Sequence, residues 1–140
     1  MKKILIVNAN YYKNISKKLV LSSKKKLGNS VKVQIINVPG IYEIPIAIRK
    51  NIKKFDGFVA LGCVIKGQTP HFDLICSSTF NSILNISVAF NKPVGNGIIT
   101  AYNMRQALQR SKSTISNKSN KGLEAANAVM SILQNGPKKI

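Results

Sequence analysis

The chain has 140 residues, 44% of them hydrophobic, which suits one compact domain with a single core and excludes a disordered chain. Lys and Arg number 22 against 4 Asp and Glu, and a formal charge of +18 favours anionic partners: phosphorylated metabolites, nucleic acid or an anionic membrane surface. Two cysteines and one histidine are too few for a zinc site, and no segment approaches the roughly 20 apolar residues that span a bilayer.

Met1-Lys2-Lys3 leads an apolar run that Asn8 and Asn10 cut too short for a signal peptide. The expectation is a soluble, cytoplasmic protein in which Cys63 and Cys76 are reduced, buried thiols. The lysines are scattered, and Lys, Asn and Ile are all abundant, so the charge also reads as a compositional bias carried on a solvated surface. Against that background the four acids, Glu43, Asp56, Asp73 and Glu124, are the more informative residues.

Residues 4–7 are wholly apolar, as in a central strand buried on both faces. A polar loop carrying Tyr11 and Tyr12 follows, and Ser16 is the predicted N-cap of a helix with Leu19, Val20 and Leu27 inward. Gly28-Asn29 stops that helix. Residues 31–38 read as a second strand ended by Pro39-Gly40, and Pro45 opens a helix predicted to reach about Lys54. Residues 58–65 form a third apolar strand. Residues 72–90 have helical spacing, with Ile75, Phe80, Ile83, Leu84 and Ile86 as the predicted inner stripe. A fourth strand at 94–100 is weakened by Gly95 and Gly97, and a short helix at 104–110 follows. After a polar connection at 111–120, Asn120 caps a last helix with Ala125, Val129, Ile132 and Leu133 inward, ended by Gly136-Pro137. The alternation of strands and helices with short connections predicts a three-layer flavodoxin-like sandwich, a four-stranded parallel sheet flanked by helices.

In such a sheet ligands bind at the carboxyl edge. The third strand runs out there through Lys66-Gly67-Gln68-Thr69-Pro70 to His71, the one side chain whose ordinary pKa permits proton exchange near neutrality. A lone histidine is more often structural, but this one closes a Gly/Thr turn at a helix start, where backbone N–H groups suit an anion. Gly62 to Thr69 has the spacing of a P-loop, yet Gln68 stands where the loop lysine belongs and cannot supply its charge. Glu43 opens at the same edge, as an ordinary helix-start acid would. Tyr11 and Tyr42 lie at strand ends, placed either to clamp a planar ring or to roof the core. Arg110, one of three arginines, suits bidentate phosphate contact and equally a plain surface position.

Three motifs together resemble the lumazine synthase family: Val38-Pro39-Gly40-Ile41-Tyr42-Glu43-Ile44-Pro45, Leu61-Gly62-Cys63-Val64-Ile65-Lys66-Gly67-Gln68-Thr69-Pro70-His71-Phe72-Asp73, and Asn120-Lys121-Gly122-Leu123-Glu124-Ala125-Ala126. They stand in the family's order and spacing, and the resemblance spans nearly the whole chain. It implies the penultimate step of riboflavin biosynthesis, the condensation of 5-amino-6-(D-ribitylamino)uracil with 3,4-dihydroxy-2-butanone 4-phosphate to 6,7-dimethyl-8-ribityllumazine, with no metal or organic cofactor. By position it implies His71 as the proton-transfer residue, and Gln68, Thr69 and Arg110 around the phosphate, with Lys121 near the phosphate end. Tyr11 falls where the family stacks an aromatic on the pyrimidine. Ile41, Tyr42 and Glu43 fall where it contacts the ribityl chain and ring, and Cys63, Val64 and Ile65 where it meets the ring through backbone groups.

Two departures from the family pattern stand out. Many members place a Phe of the neighbouring subunit over the ring; this chain has Asn96 there, and a hydrogen bond from Asn96 is the expected replacement. The segment between Arg110 and Asn120 is a few residues longer than in many members, and the chain starts directly at its first strand. In this family such features accompany free pentamers, so the resemblance implies a homopentamer rather than a sixty-subunit shell. It implies two small-molecule substrates and no specific nucleic-acid or membrane partner.

Overall fold

Four strands, β1 (Lys3–Ala9), β2 (Lys32–Val38), β3 (Gly57–Ile65) and β4 (Val94–Ala101), pair in parallel in the order β2-β1-β3-β4. This is seen in a computed structural model that describes residues 1–112 and 120–140. The helices are α1 (Lys13–Leu27), α2 (Ile44–Lys50), α3 (His71–Phe90), α4 (Met104–Ser111) and α5 (Lys121–Gln134), and a 3-10 turn spans Ile41–Glu43. The central strands β1 and β3 are buried on both faces because their side chains alternate between two cores. Ile4, Ile6, Val59 and Leu61 pack with α1, α4 and α5. Leu5, Val7, Phe58 and Ala60 pack with α2 and α3. This is the three-layer flavodoxin-like sandwich that the sequence predicts.

The polar residues inside the sandwich tie its layers together. Ser23 Oγ donates to the carbonyl of Gly122 at 2.8 Å, fixing α1 against α5. Asn120 caps α5 as predicted, its Oδ1 accepting from Leu123 N at 2.9 Å. Gly95 marks a close approach more than a weak strand: a Cβ there would stand 2.1 Å from the carbonyl oxygen of Ala125. The missing side chain lets α5 lie directly on β4.

Several local expectations are corrected. Ser16 does not cap α1; it lies within the helix, and its buried Oγ donates to Ala9 O at 2.9 Å, so the hydroxyl joins the helix to the end of β1. The second helix stops at Lys50, because Asn51 turns back on it: its Nδ2 donates to Ala47 O at 2.8 Å and its N–H to Ile48 O at 3.0 Å. Leu84 and Ile132 are not inward but 62% and 67% exposed. The buried line of α3 runs through Cys76, Thr79 and Ile83, and Leu84 lies a further rotation of about 100° round the helix. The expectation of an extended connection falls on residues 113–119, outside the described residues.

Candidate active site

The strand order reverses between β1 and β3, since one connection from this pair leads out to β2 and the other to β4. Such a switch point opens a crevice at the carboxyl ends of the strands. A cavity of about 290 Å³ lies there, lined by Ala9 at the end of β1, by Cys63, Val64 and Ile65 at the end of β3, and by Ile41, Gly40, Tyr11, Tyr12, Ile75 and His71. Gly62 matters to its shape: a Cβ on that residue would stand 2.8 Å from Ile41 Cγ2 and 3.1 Å from Ala9 Cβ. Its absence lets the 3-10 turn settle onto β3.

Six residues singled out in the sequence therefore meet in one cavity: Tyr11, Ile41, Cys63, Val64, Ile65 and His71. Tyr11 is 74% exposed and stands over the mouth, its ring edge-on to Tyr12 with centroids 5.0 Å apart. His71 is exposed as the first residue of α3. Cys63 is buried, and burial pushes its thiol up to about 12, so it stands neutral at physiological pH and is no thiolate nucleophile. Burial likewise raises Tyr12, with Cys63 and Tyr11 adding to the effect. Tyr12 was not legible as a site residue; its signal was only its place beside Tyr11 in the loop after β1.

The remaining candidates stand around this cavity. Tyr42 and Glu43 line a neighbouring groove of about 520 Å³ with Pro45, Ile46, Ser78, Thr79 and Ser82. The groove adjoins the cavity at Gly40, where an added Cβ would lie 3.3 Å from Glu43 Oε1. Gln68 and Thr69 are exposed on the turn before α3. Arg110 lies elsewhere on the rim, in a groove of about 580 Å³ with Thr100, Tyr102, Arg105, Gln106 and Gln109. Among the described residues none lines both this groove and the His71 cavity, and Lys66, which follows Ile65 of the cavity, has its amine 5.4 Å from the centroid of the Tyr102 ring in the groove. Lys121 pairs with Glu124 at 3.1 Å in the first turn of α5. Asn96 is exposed on the edge strand β4, and its Oδ1 accepts from Ile98 N at 3.0 Å.

Among the described residues no group of three His, Cys, Asp or Glu side chains could hold a metal ion, and no helix is long and apolar enough to cross a membrane.

A parallel sheet between two helix layers, with an aromatic-rimmed cavity and one histidine at its switch point, defines a flavodoxin-like domain suited to a small planar ligand. The profile of the family described as 6,7-dimethyl-8-ribityllumazine synthase matches residues 1–135. The chain is 36% identical over 138 residues to the enzyme of that name from Methylorubrum extorquens (strain PA1), covering 93% of this chain and 80% of the relative. It is 38% identical over 137 residues to that of Campylobacter jejuni (strain 81-176), covering 94% and 87%, and 40% identical over 128 residues to that of Bartonella bacilliformis, covering 88% and 84%. The chain belongs to the lumazine synthase family. Membership supports a transferase of this general type in riboflavin biosynthesis, one that binds small molecules and assembles as an oligomer.

Proposed function

We propose that this protein condenses 5-amino-6-(D-ribitylamino)uracil with 3,4-dihydroxy-2-butanone 4-phosphate to give 6,7-dimethyl-8-ribityllumazine, phosphate and water. The observation that carries the reading is the meeting of Tyr11, Ile41, Cys63, Val64, Ile65 and His71 in one cavity at the switch point. In this reading Tyr11 stacks on the pyrimidine while the ends of β1 and β3 meet the ring edge. Glu43, beside the cavity at Gly40, meets the ribityl hydroxyls with Tyr42. Gln68 and Thr69 on the exposed turn hold the phosphate of the four-carbon substrate, with Arg110 and Lys121 supplying positive charge.

Attack of the ring amine on the ketone, loss of phosphate and ring closure each require proton movement, and His71 at the cavity wall relays those protons. The amine is already a nucleophile, so holding two reactants in register supplies much of the acceleration. Cationic groups around the phosphate stabilise it as it departs.

The exposed apolar side chains on the outer side of α3, Leu74, Leu84 and Val88, support burial against further copies of the chain. We take the assembly to be a pentamer in the cytoplasm. The test is a turnover assay with both substrates, following formation of the lumazine by its absorbance; no product from folded protein would overturn the reading. Light scattering distinguishes the pentamer from a shell of sixty 15.3 kDa chains, which would weigh close to a megadalton.

A further inference from the structure

The fold sorts this chain's charge by edge. In a parallel sandwich the strand starts and helix ends share one edge, opposite the site described above. Lys3 and Lys32 pair across the starts of β1 and β2, with Lys2 just before them: Lys32 N donates to Lys2 O at 2.8 Å. Lys24, Lys25 and Lys26 form the last turn of α1 at that edge. Lys50 ends α2, Lys53 and Lys54 follow on the way to β3, and Lys92 precedes β4. All of these but the half-buried Lys92 are exposed. The one acid at this edge is Asp56, whose carboxylate accepts from the backbone N–H of Lys3 at 2.8 Å. The other three acids, Glu43, Asp73 and Glu124, lie at helix starts on the opposite edge.

Cations stand at the opposite edge as well, among them Lys13, Lys66, Arg105, Arg110 and Lys121, but three of the four acids stand there with them, whereas Asp56 alone offsets the lysines here. The helix macrodipole explains the lysines in the last turns of α1 and α2, where a cation stabilises the helix end. It does not explain Lys2, Lys3, Lys32, Lys53 or Lys54, which lie outside those turns. The surface is also shaped. A groove of about 490 Å³ runs between Lys24, Lys25, Gly28, Asn29, Val31 and Val33. Asn29, Ser30 and Asn91 add exposed amides and a hydroxyl in the loops at this edge, and Phe90 lies under the Arg49 guanidinium, 4.5 Å from ring centroid to carbon.

We propose that this edge binds the phosphate backbone of nucleic acid without reading its bases. Amines, amides and hydroxyls are the groups that contact phosphate and sugar. Among the described residues the edge offers no row of exposed aromatics for stacking bases, so sequence preference is not expected. A bilayer surface fits less well, because stable anchoring adds buried apolar side chains to the charge.

The test uses the full-length protein and a fluorescent mixed-sequence RNA duplex, with affinity measured across a salt series. Two triple variants on the same helix carry equal charge changes. Lys24→Gln/Lys25→Gln/Lys26→Gln at the proposed surface should weaken binding about tenfold or more and lower the log–log salt slope by about 2 to 3. Lys13→Gln/Lys17→Gln/Lys18→Gln at the other end of α1 should stay within about twofold of the parent protein. If loss of the α1 end impairs folding, Lys32→Gln/Lys53→Gln/Lys54→Gln gives the same reading without touching that helix. A second duplex of different sequence should bind equally. Equal losses from the two α1 triples would overturn the proposal, as would no binding, or phosphatidylserine vesicles that bind and are not displaced by the duplex.

Discussion

Asn96 Oδ1 accepts a hydrogen bond from the backbone N–H of Ile98 at 3.0 Å, on the open edge of the sheet. An edge strand presents unpaired N–H groups, and here a side chain two residues back satisfies one of them. The amide oxygen is thereby committed, and only Nδ2 is left to donate outward. Asn96→Asp separates the two tasks, since a carboxylate still accepts from Ile98 but cannot donate. If Asn96 donates to the pyrimidine, kcat/KM should fall about tenfold with Tm unchanged, the scale of one lost hydrogen bond. Unchanged kinetics would confine Asn96 to guarding the sheet edge.

His71→Ala should leave the fold alone, because the side chain is exposed and lines the cavity rather than filling a core. Its stability should stay within about 0.5 kcal/mol of the parent, and the particle mass by light scattering should not change. Turnover should drop at least about tenfold. An unaltered rate would remove the imidazole from the chemistry.

Gly95→Ala is the sharper test of packing. The added methyl would stand 2.1 Å from the Ala125 carbonyl oxygen and 2.9 Å from Val129 Cγ2, so α5 must lift from β4. The expected cost is about 3 kcal/mol, at the upper end of ordinary overpacking because backbone rather than a pliant side chain is in the way. Urea denaturation would show it as a lower midpoint at constant m-value.

The Cys63 thiol gives a signed pH effect. Its folded pKa is raised from 9.0 to about 12, so between those values the folded state holds a proton that the unfolded chain releases. Its contribution is complete below pH 9 and declines as pH rises toward 12, by up to about 1.4 kcal/mol per pH unit. Cys63→Ala should therefore lose less stability than the parent across that range, read as a shallower fall in Tm with pH. Parallel curves would place the alkaline loss elsewhere.

The strands were legible because β1 and β3 are buried on both faces and read as continuous apolar runs, while Pro and Gly mark the turns between them. Burial on helices was less legible. Leu84 and Ile132 carry the same hydrophobic signature as buried residues, and only the placement of the neighbouring helices shows that their positions face outward. Ser16 looked like a cap by residue type alone; its hydroxyl is consumed by Ala9, a contact made by the turn of the chain. In the site, the motif after β3 and the turn after β2 named most of the cavity wall. Tyr12 escaped because nothing in its type separates a lining aromatic from a loop aromatic. Arg110 was recognisable as a phosphate ligand by resemblance, whereas its separate groove is a property of how α4 sits on β4.

That separation has a kinetic consequence. A lone chain offers the His71 cavity and the Arg110 groove as two half-sites, with Lys66 following Ile65 of the one and its amine near the Tyr102 ring of the other. If a neighbouring copy brings the second half to the first, specific activity should be constant at high protein concentration and collapse on dilution through the assembly's dissociation range. Mixing a His71→Ala chain with an Arg110→Ala chain should then restore activity that neither possesses alone. Complementation of that kind would make catalysis a property of the seam between copies, set by concentration as much as by sequence.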